Sequence, residues 1–468
     1  MSSTNFATPS FASLRDEKSP VAQTDQKLTI TRGIRTLSVQ NDISNWNADI
    51  RRVIANCADK SGMRRMFDTA FSCDNMSPVS RVSDLPYGLI YRPGKQNIES
   101  YGIHRGQRKL FYAEVKFLLH AFRYVIDHRK TTYVVYAGAA PNRKGLLLSK
   151  LFPSFVFVFV DPNSFAIAYG NKKTSENASH EKVIHLKMKN PREGRDFDEK
   201  ANENYFEAIM APRNANRRIF LIEDFMSADL ARNLSQLQGN ILFISDLRTN
   251  TSGTKVPLEF DICCDNALVF VIMNILNPMF SSLKHQPLLI FDAFNERKVY
   301  DIGEARTEVF VLARDEFGVN FLQNYANRIA TNPVGDIHLQ AWAGVSSLET
   351  RIWVHGENNR MVTGNDPTFA DKLNFFNCVY RSWYHFANPF ANDALDFGNC
   401  YACASEYRFY RDYCYIMRPE ETEEDNMLFV NAMLRDLRSK QCPGEKSPGS
   451  HNCFYSTHPS DRLNKIEG

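Results

Sequence analysis

The chain has almost no surplus of charge: 56 Lys and Arg stand against 53 Asp and Glu, a formal net charge of +3. That balance excludes a global basic field, so any RNA site must be a local groove. Long apolar runs are missing too. No uninterrupted apolar stretch approaches the roughly 20 residues that a membrane helix needs, and Met1 to Ser19 is polar with no apolar leader core. We expect neither a membrane span nor a secretory signal. Without a secretory context, the ten cysteines read as reduced thiols of a cytosol-like compartment rather than a disulfide framework. Asn-x-Ser/Thr matches such as Asn177 and Asn233 then carry little weight. No internal repeat is visible.

What is present is enough for a substantial core. The 468 residues allow one large or two moderate domains, and 43% hydrophobic content with 34 Phe fits a globular chain. Residues 1–85 form a polar extension whose first 30 or so read as disordered. The basic pairs Arg51-Arg52 and Arg64-Arg65 read as a solvated helix face. An organised domain runs from Pro86 to about 415, and 416–468 holds a helix and a loose tail rich in Pro, Gly and Ser.

Within that domain Leu110, Ala113, Phe117, Ala121 and Val125 recur at helical spacing, which predicts a helix over 108–127. Tyr133 to Ala137 and Phe155 to Val160 read as strands, the second covered on both faces. Further strands are expected at Arg218 to Ile222, Ile241 to Ser245, Pro287 to Phe291, Val309 to Ala313 and Arg351 to Val354. Helical segments lie from Gly138 to Leu151 and over 197–211, 227–237 and 258–275. Strands alternating with helices predict an α/β sheet of Rossmann type, with ligands beyond the carboxyl ends of the strands. Aromatic clusters at Phe375 to Phe386 and Tyr407 to Tyr415 are expected to pack on the sheet, and Thr422 with Asp425 should cap the last helix.

Several chemistry-bearing residues fall at the expected strand ends. Gly138 follows the first strand and would let backbone approach a ligand, with Ala139 and Ala140 keeping the passage open. Asp161 ends the next strand, where an acid can accept hydrogen bonds from a ligand ribose. Asp246 ends the Ile241 to Ser245 strand; on its own it reads equally well as a cap of the next turn. Lys284 sits in an apolar, sheet-like setting, where a snorkelling surface lysine is the commoner fate.

Taken together these stretches resemble the poxvirus-type cap-specific mRNA 2′-O-methyltransferase family, whose poxvirus member doubles as a regulatory (processivity) subunit of the viral poly(A) polymerase. The resemblance rests on Gly106-Gln107-Arg108-Lys109-Leu110, on Tyr136 to Pro141, and on Ile244-Ser245-Asp246 with Arg248. It rests further on Ile275 to Pro278 followed by Ser281-Ser282-Leu283-Lys284, and on Leu339-Gln340 followed by Ser347, Glu349 and Arg351. It covers roughly 100–415. It implies a Rossmann-type S-adenosylmethionine-dependent methyltransferase sheet flanked by helices, with methyl transfer to the ribose 2′-hydroxyl of the first transcribed nucleotide of capped mRNA. The alternative it implies is a non-catalytic RNA-binding subunit of a viral poly(A) polymerase. The catalytic tetrad carries over to Lys109, Asp246, Lys284 and Glu349, with Lys284 as general base. Lys109 and Asp246 tune and orient it, and Glu349 anchors the lysine pair. Cofactor positions carry over to Gln107, Tyr136, Gly138, Asp161 and Met226. Capped mRNA and the polymerase's catalytic subunit are the implied partners, and a cytoplasmic viral replication site or the virion the implied location.

The chain also departs from that pattern. Asn142 follows Pro141 where the family has Gly; Asn tolerates positive φ, so the turn should survive. Pro162-Asn163 replaces Gly-Arg after Asp161, residues 163–217 form an insertion, and His285-Gln286-Pro287-Leu288 lacks the family's aromatic cap-stacking residue. Cys400-x-x-Cys403, with Cys414, Cys442, His451, Cys453 and His458, invites a zinc reading, but the irregular spacing favours ordinary buried thiols. No metal is expected in the chemistry.

Overall fold

The structure, a computed structural model, describes residues 81–85, 106–142, 144–165, 183–187, 204–248, 259–286, 304–327, 329–343, 347–356, 361–363, 368–377, 401–426 and 428–429. Its centre is an eight-stranded sheet. The strands are β1 (Thr132–Ala137), β2 (Phe155–Val160), β3 (Val183–Lys187), β4 (Ile219–Ile222), β5 (Asn240–Ser245), β6 (Phe280–His285), β8 (Asp336–His338) and β9 (Thr350–His355). Their spatial order is β3-β4-β2-β1-β5-β6-β9-β8. Only β9 runs against the others, pairing antiparallel with β6 on one side and β8 on the other. β7 (Thr331–Pro333) and β10 (Met361–Thr363) form a separate two-stranded ribbon.

Every residue of β1, β2, β4 and β5 is buried. That is why these strands read as unbroken apolar runs: helices cover both faces, so neither set of alternating side chains meets water. Val134, Tyr136, Phe157, Phe159, Leu242 and Phe280 pack on one face with α1 (Gly106–Tyr124), α2 (Gly145–Leu151) and α9 (Tyr401–Met417). Val135, Ala137, Val158, Phe220 and Phe243 pack on the other with α3 (Tyr205–Met210), α4 (Ala228–Leu234) and α5 (Glu259–Leu276). Each fully buried Phe contributes on the order of 1.5–3 kcal/mol. Ser227 caps α4 by accepting from Leu230 N at 3.1 Å, and Thr422 accepts from Asp425 N at 3.1 Å, the expected cap.

Some expectations need correction. Val309 to Ala313 is not a strand but part of α6 (Glu304–Asp315). Phe310 and Ala313, three residues apart, are the buried pair, and they pack with α5 and Phe321 of α7 (Phe321–Ala326). The helix expected over 197–211 is described as the shorter α3, capped by Asn204, followed by a 3-10 turn at Pro212–Asn214. Inside the 163–217 insertion lies β3, which extends the sheet at its edge beside β4. The strand expected at Pro287 to Phe291 lies outside the described residues, as do the N-terminal extension to Ser80 and the tail. Phe280–His285, the sheet-like setting expected around Lys284, is a strand, although it was not among the strand segments expected. Phe376, Phe409, Tyr410 and Tyr413 of the aromatic clusters are buried in the apolar cluster on the α1 face of the sheet, together with Phe369 and Leu373 of α8 (Phe369–Phe375), while Tyr415 is exposed. Among the described residues no helix is long and apolar enough to cross a membrane.

Candidate active site

The chain builds β1, β2 and β4 outward to one side, then returns to place β5 on the other side of β1. The crevice beyond the carboxyl ends of β1 and β5 is thus the switch point where open α/β sheets hold ligands. Ala137 pairs with Ser245 there, so Gly138 and Asp246 emerge side by side. Gly138 has φ +75°, and a Cβ on it would lie 2.9 Å from backbone atoms of both Asp246 and Leu247. Only glycine fits that passage. Past Ala139, a cis Ala140–Pro141 bond turns the chain, and Asn142 takes φ 36°, the positive value its side chain was expected to tolerate.

Four elements deliver charged groups to this end of the sheet. α1 brings Lys109 across the sheet face, the end of β5 gives Asp246, β6 gives Lys284, and Glu349 immediately precedes β9. Lys109 Nζ donates to Glu349 Oε1 at 2.7 Å. Lys284 Nζ lies 3.7 Å from the other oxygen of Glu349 and 3.3 Å from Asp246 Oδ1. The four residues expected to act together therefore meet, with one carboxylate touching both lysines. A fifth member was not singled out as a site residue: Arg351, 3% exposed, donates to Asp246 Oδ1 at 2.7 Å and to Ser245 O at 2.8 Å. Strand alternation was the available signal, since residues 349 and 351 share one face.

Three cations thus face two carboxylates in a shielded site. Arginine does not give up its proton, so the cluster reaches neutrality when one lysine loses its own. Burial first, then the nearby Lys284 and Arg351, pull Lys109 below the ordinary lysine value, against the upward pull of Glu349. Burial alone would raise the two acids, but Lys284, Lys109 and Arg351 together hold Glu349 down to about 2, and Arg351 and Lys284 hold Asp246 below its usual range. The acids stay charged while burial and the neighbouring cations press on Lys109.

A second polar group lies under the glycine turn. Tyr136 Oη donates to Glu114 Oε1 at 2.8 Å, and Lys144 Nζ stands 3.5 Å from the same oxygen. Glu114 Oε2 and Asn142 Nδ2 are buried with no hydrogen-bond partner, and Lys144 Nζ makes no close one. Burial pushes Tyr136 well above the phenol range and lowers Lys144. Neither Glu114 nor Lys144 was anticipated. The only hint was an acid set among the apolar residues of α1.

The other expected ligand positions fare differently. Asp161 stands at the end of β2, but its carboxylate already accepts from Ala140 N (3.1 Å), Asn163 N (2.8 Å) and Asn163 Nδ2 (2.9 Å). It shapes the glycine turn from below. Met226, 4% exposed, packs in the apolar cluster beyond β4 with Ile222 and Leu230. Gln107 is the second residue of α1, and its side chain lies outside the described part. Arg248 sits 3.8 Å from Asp265 and 3.4 Å from Lys284 O, bracing β6 from the flank. His285, where an aromatic residue was missed, bonds Thr350 Oγ1 at 2.9 Å inside the sheet.

Among the described residues no group of three or more His, Cys, Asp or Glu is placed to hold a metal. Cys414 is a buried free thiol; the side chains of Cys400 and Cys403 lie outside the described part. No family model and no curated protein matches the chain.

Proposed function

We propose that the chain transfers a methyl group from S-adenosylmethionine to the ribose 2′-hydroxyl of the first transcribed nucleotide of capped RNA. The observation that carries this reading is the meeting of Lys109, Asp246, Lys284 and Glu349, braced by Arg351, at the switch point of the sheet. A ribose hydroxyl holds its proton tightly at neutral pH, so attack needs a base beside it. Crowded cations make a neutral amine accessible. Lys109 is committed to Glu349 at 2.7 Å. Lys284 has only the longer contacts of 3.3 and 3.7 Å, which leaves it the freer to take the proton. Asp246, pinned by Arg351, orients that amine, and Glu349 sets the spacing of the pair.

Bound S-adenosylmethionine would supply a methyl already activated on a sulfonium, so the protein's work is to position and deprotonate. The buried polar atoms under the glycine turn fit its amino-acid end. Lys144 Nζ and Asn142 Nδ2 are donors for a carboxylate, and Glu114 Oε2 is an acceptor for an ammonium.

The test is labelled S-adenosylmethionine with RNA bearing an N7-methylguanosine cap. The wild type should label the first ribose, and Lys284→Ala should lose about 100-fold or more. Label that ignores Lys284 sinks the mechanism. One observation favours a second reading, a non-catalytic RNA-binding subunit of a viral poly(A) polymerase: the Asp161 carboxylate is taken up by its own loop. Absence of cofactor binding would decide for it.

A further inference from the structure

Beside the ionic cluster runs a segment whose polar and torsional demands are unmet. Gln340 is 4% exposed, and both its amide oxygen and its amide nitrogen are buried without a hydrogen-bond partner. Two residues on, Trp342 holds φ +63°, a left-handed conformation that a bulky aromatic residue rarely takes. Its indole nitrogen is also buried and unpartnered. Folded chains pair nearly all buried polar atoms, and strain that persists clusters at binding sites. Three such departures within three residues mark a place where something other than this chain completes the bonding.

The location is fixed from two sides. β8 pairs with β9 through Asp336↔Trp353, Ile337↔Ile352 and His338↔Arg351. Extended two residues beyond the end of β8, that register would set Gln340 opposite Glu349. From the other side, the guanidinium of Arg108 lies 4.2 Å from the Trp342 ring centre, and the next residue, Lys109, holds Glu349. Segment 340–342 thus runs beside the lysine–carboxylate pair.

We infer that Gln340 is a specificity residue that reads the base edge of the nucleotide whose ribose is methylated. This rests on the function proposed above. A primary amide offers one acceptor and two donors side by side, the pattern that pairs with a nucleobase edge. An unpaired base can be held on such an edge once splayed from its neighbours. The amide is sealed from bulk water, so a base reaches it by parting segment 340–342 from its cover. That costs less where the segment's polar groups have no protein partners to lose.

The experiment compares wild type, Gln340→Leu and Gln340→Glu on four capped RNAs that differ only in the first transcribed nucleotide. Methyl transfer, as kcat/KM, is measured beside binding of the four nucleoside monophosphates, read by tryptophan fluorescence. The wild type should spread the four bases over about tenfold. Gln340→Leu should collapse that spread to within about twofold, Gln340→Glu should change the rank order, and the Leu variant should melt no lower than wild type because it removes orphaned atoms. A wild type that treats all four alike, an unchanged spread in Gln340→Leu, or a lower melting temperature for it overturns the inference while leaving methyl transfer standing. If no RNA is methylated the enzymatic reading fails, and monophosphate binding alone decides Gln340: discrimination lost in the Leu variant sustains it, and discrimination retained or absent rejects it.

Discussion

Helix α1 and strands β6 and β9 carry two clusters of basic groups, one near each end, and the two solve the burial of charge in opposite ways. At the carboxyl end of β6, Lys109, Lys284 and Arg351 find Glu349 and Asp246 and remain an ionic network. At the other end, Lys116 and His120 of α1 meet rings and like charges. His120 lies 5.2 Å from the Trp353 ring and 5.4 Å from Phe280, and Lys116 Nζ lies 5.8 Å from Trp353. His338 stacks on Trp353 at 3.7 Å with neither ring nitrogen partnered. Burial, then Arg81, brings Lys116 down to about 8; burial, then His355 and Lys116, brings His120 down to about 4. In the first cluster the interleaved cations hold both acids charged, and the acids offset part of the pull of burial on Lys109. In the second the described acids, Asp84 and Asp336, lie exposed at the rim, and burial holds the histidines neutral while it draws Lys116 down to about 8. Partner sign, not burial, separates the two.

The largest way to break the contrast is to take a cation from the paired end. Arg351→Met should cost about 3–5 kcal/mol in denaturant unfolding, since Asp246 is left buried without its closest partner. The equivalent deletion at the other end, His338→Phe, should be neutral or slightly stabilising, because no hydrogen bond is lost. Equal losses at both ends would erase the distinction. Gly138→Ala ranks next. Its φ and the 2.9 Å approach to the Asp246 backbone predict a loss of about 1–3 kcal/mol and weaker cofactor binding. A melting curve and a cofactor titration check both.

The smallest effect lies in the pH dependence of stability, where the two ends occupy different windows. His120 and His338 have folded values below the ordinary 6.5. The unfolded chain therefore takes up their protons first, and stability falls as pH drops below 6.5, a loss that ends near 4 for His120 and continues lower for His338. Glu349, depressed from 4.5 to about 2, contributes stability that is present above 4.5 and lost as pH falls toward 2. His120→Phe should flatten the upper window and Glu349→Gln the lower. One window, or both variants acting in the same one, contradicts the contrast.

The buried parallel strands were legible because covering on both faces makes β1, β2, β4 and β5 continuously apolar. β6 was only hinted at by the sheet-like setting of Lys284: Ser281, Ser282 and Lys284 interrupt its apolar pattern, and its place is set by long-range pairing with β5 and β9. Val309 to Ala313 misled because β-branched and aromatic residues suit a strand, yet Phe310 and Ala313 face α5 from a helix. At the site, strand-end positions pointed to Gly138, Asp161 and Asp246, while Lys109 and Glu349 emerged only from the order of several short motifs. Arg351, Glu114 and Lys144 gain their roles from contacts across the fold, such as the 105 residues between Arg351 and Asp246, and no local pattern announces those.

The central claim is that burial, with crowding by Lys284 and Arg351, makes Lys109 give up its proton early. Its most direct test is a titration of ¹³Cε-labelled lysine, with Lys109 assigned through Lys109→Arg. Lys109 should titrate below the ordinary 10.5, and in Glu349→Gln it should titrate lower still, because the carboxylate that raises it is gone. A Lys109 that titrates at or above 10.5, as an ordinary salt-bridged lysine does, would contradict the account.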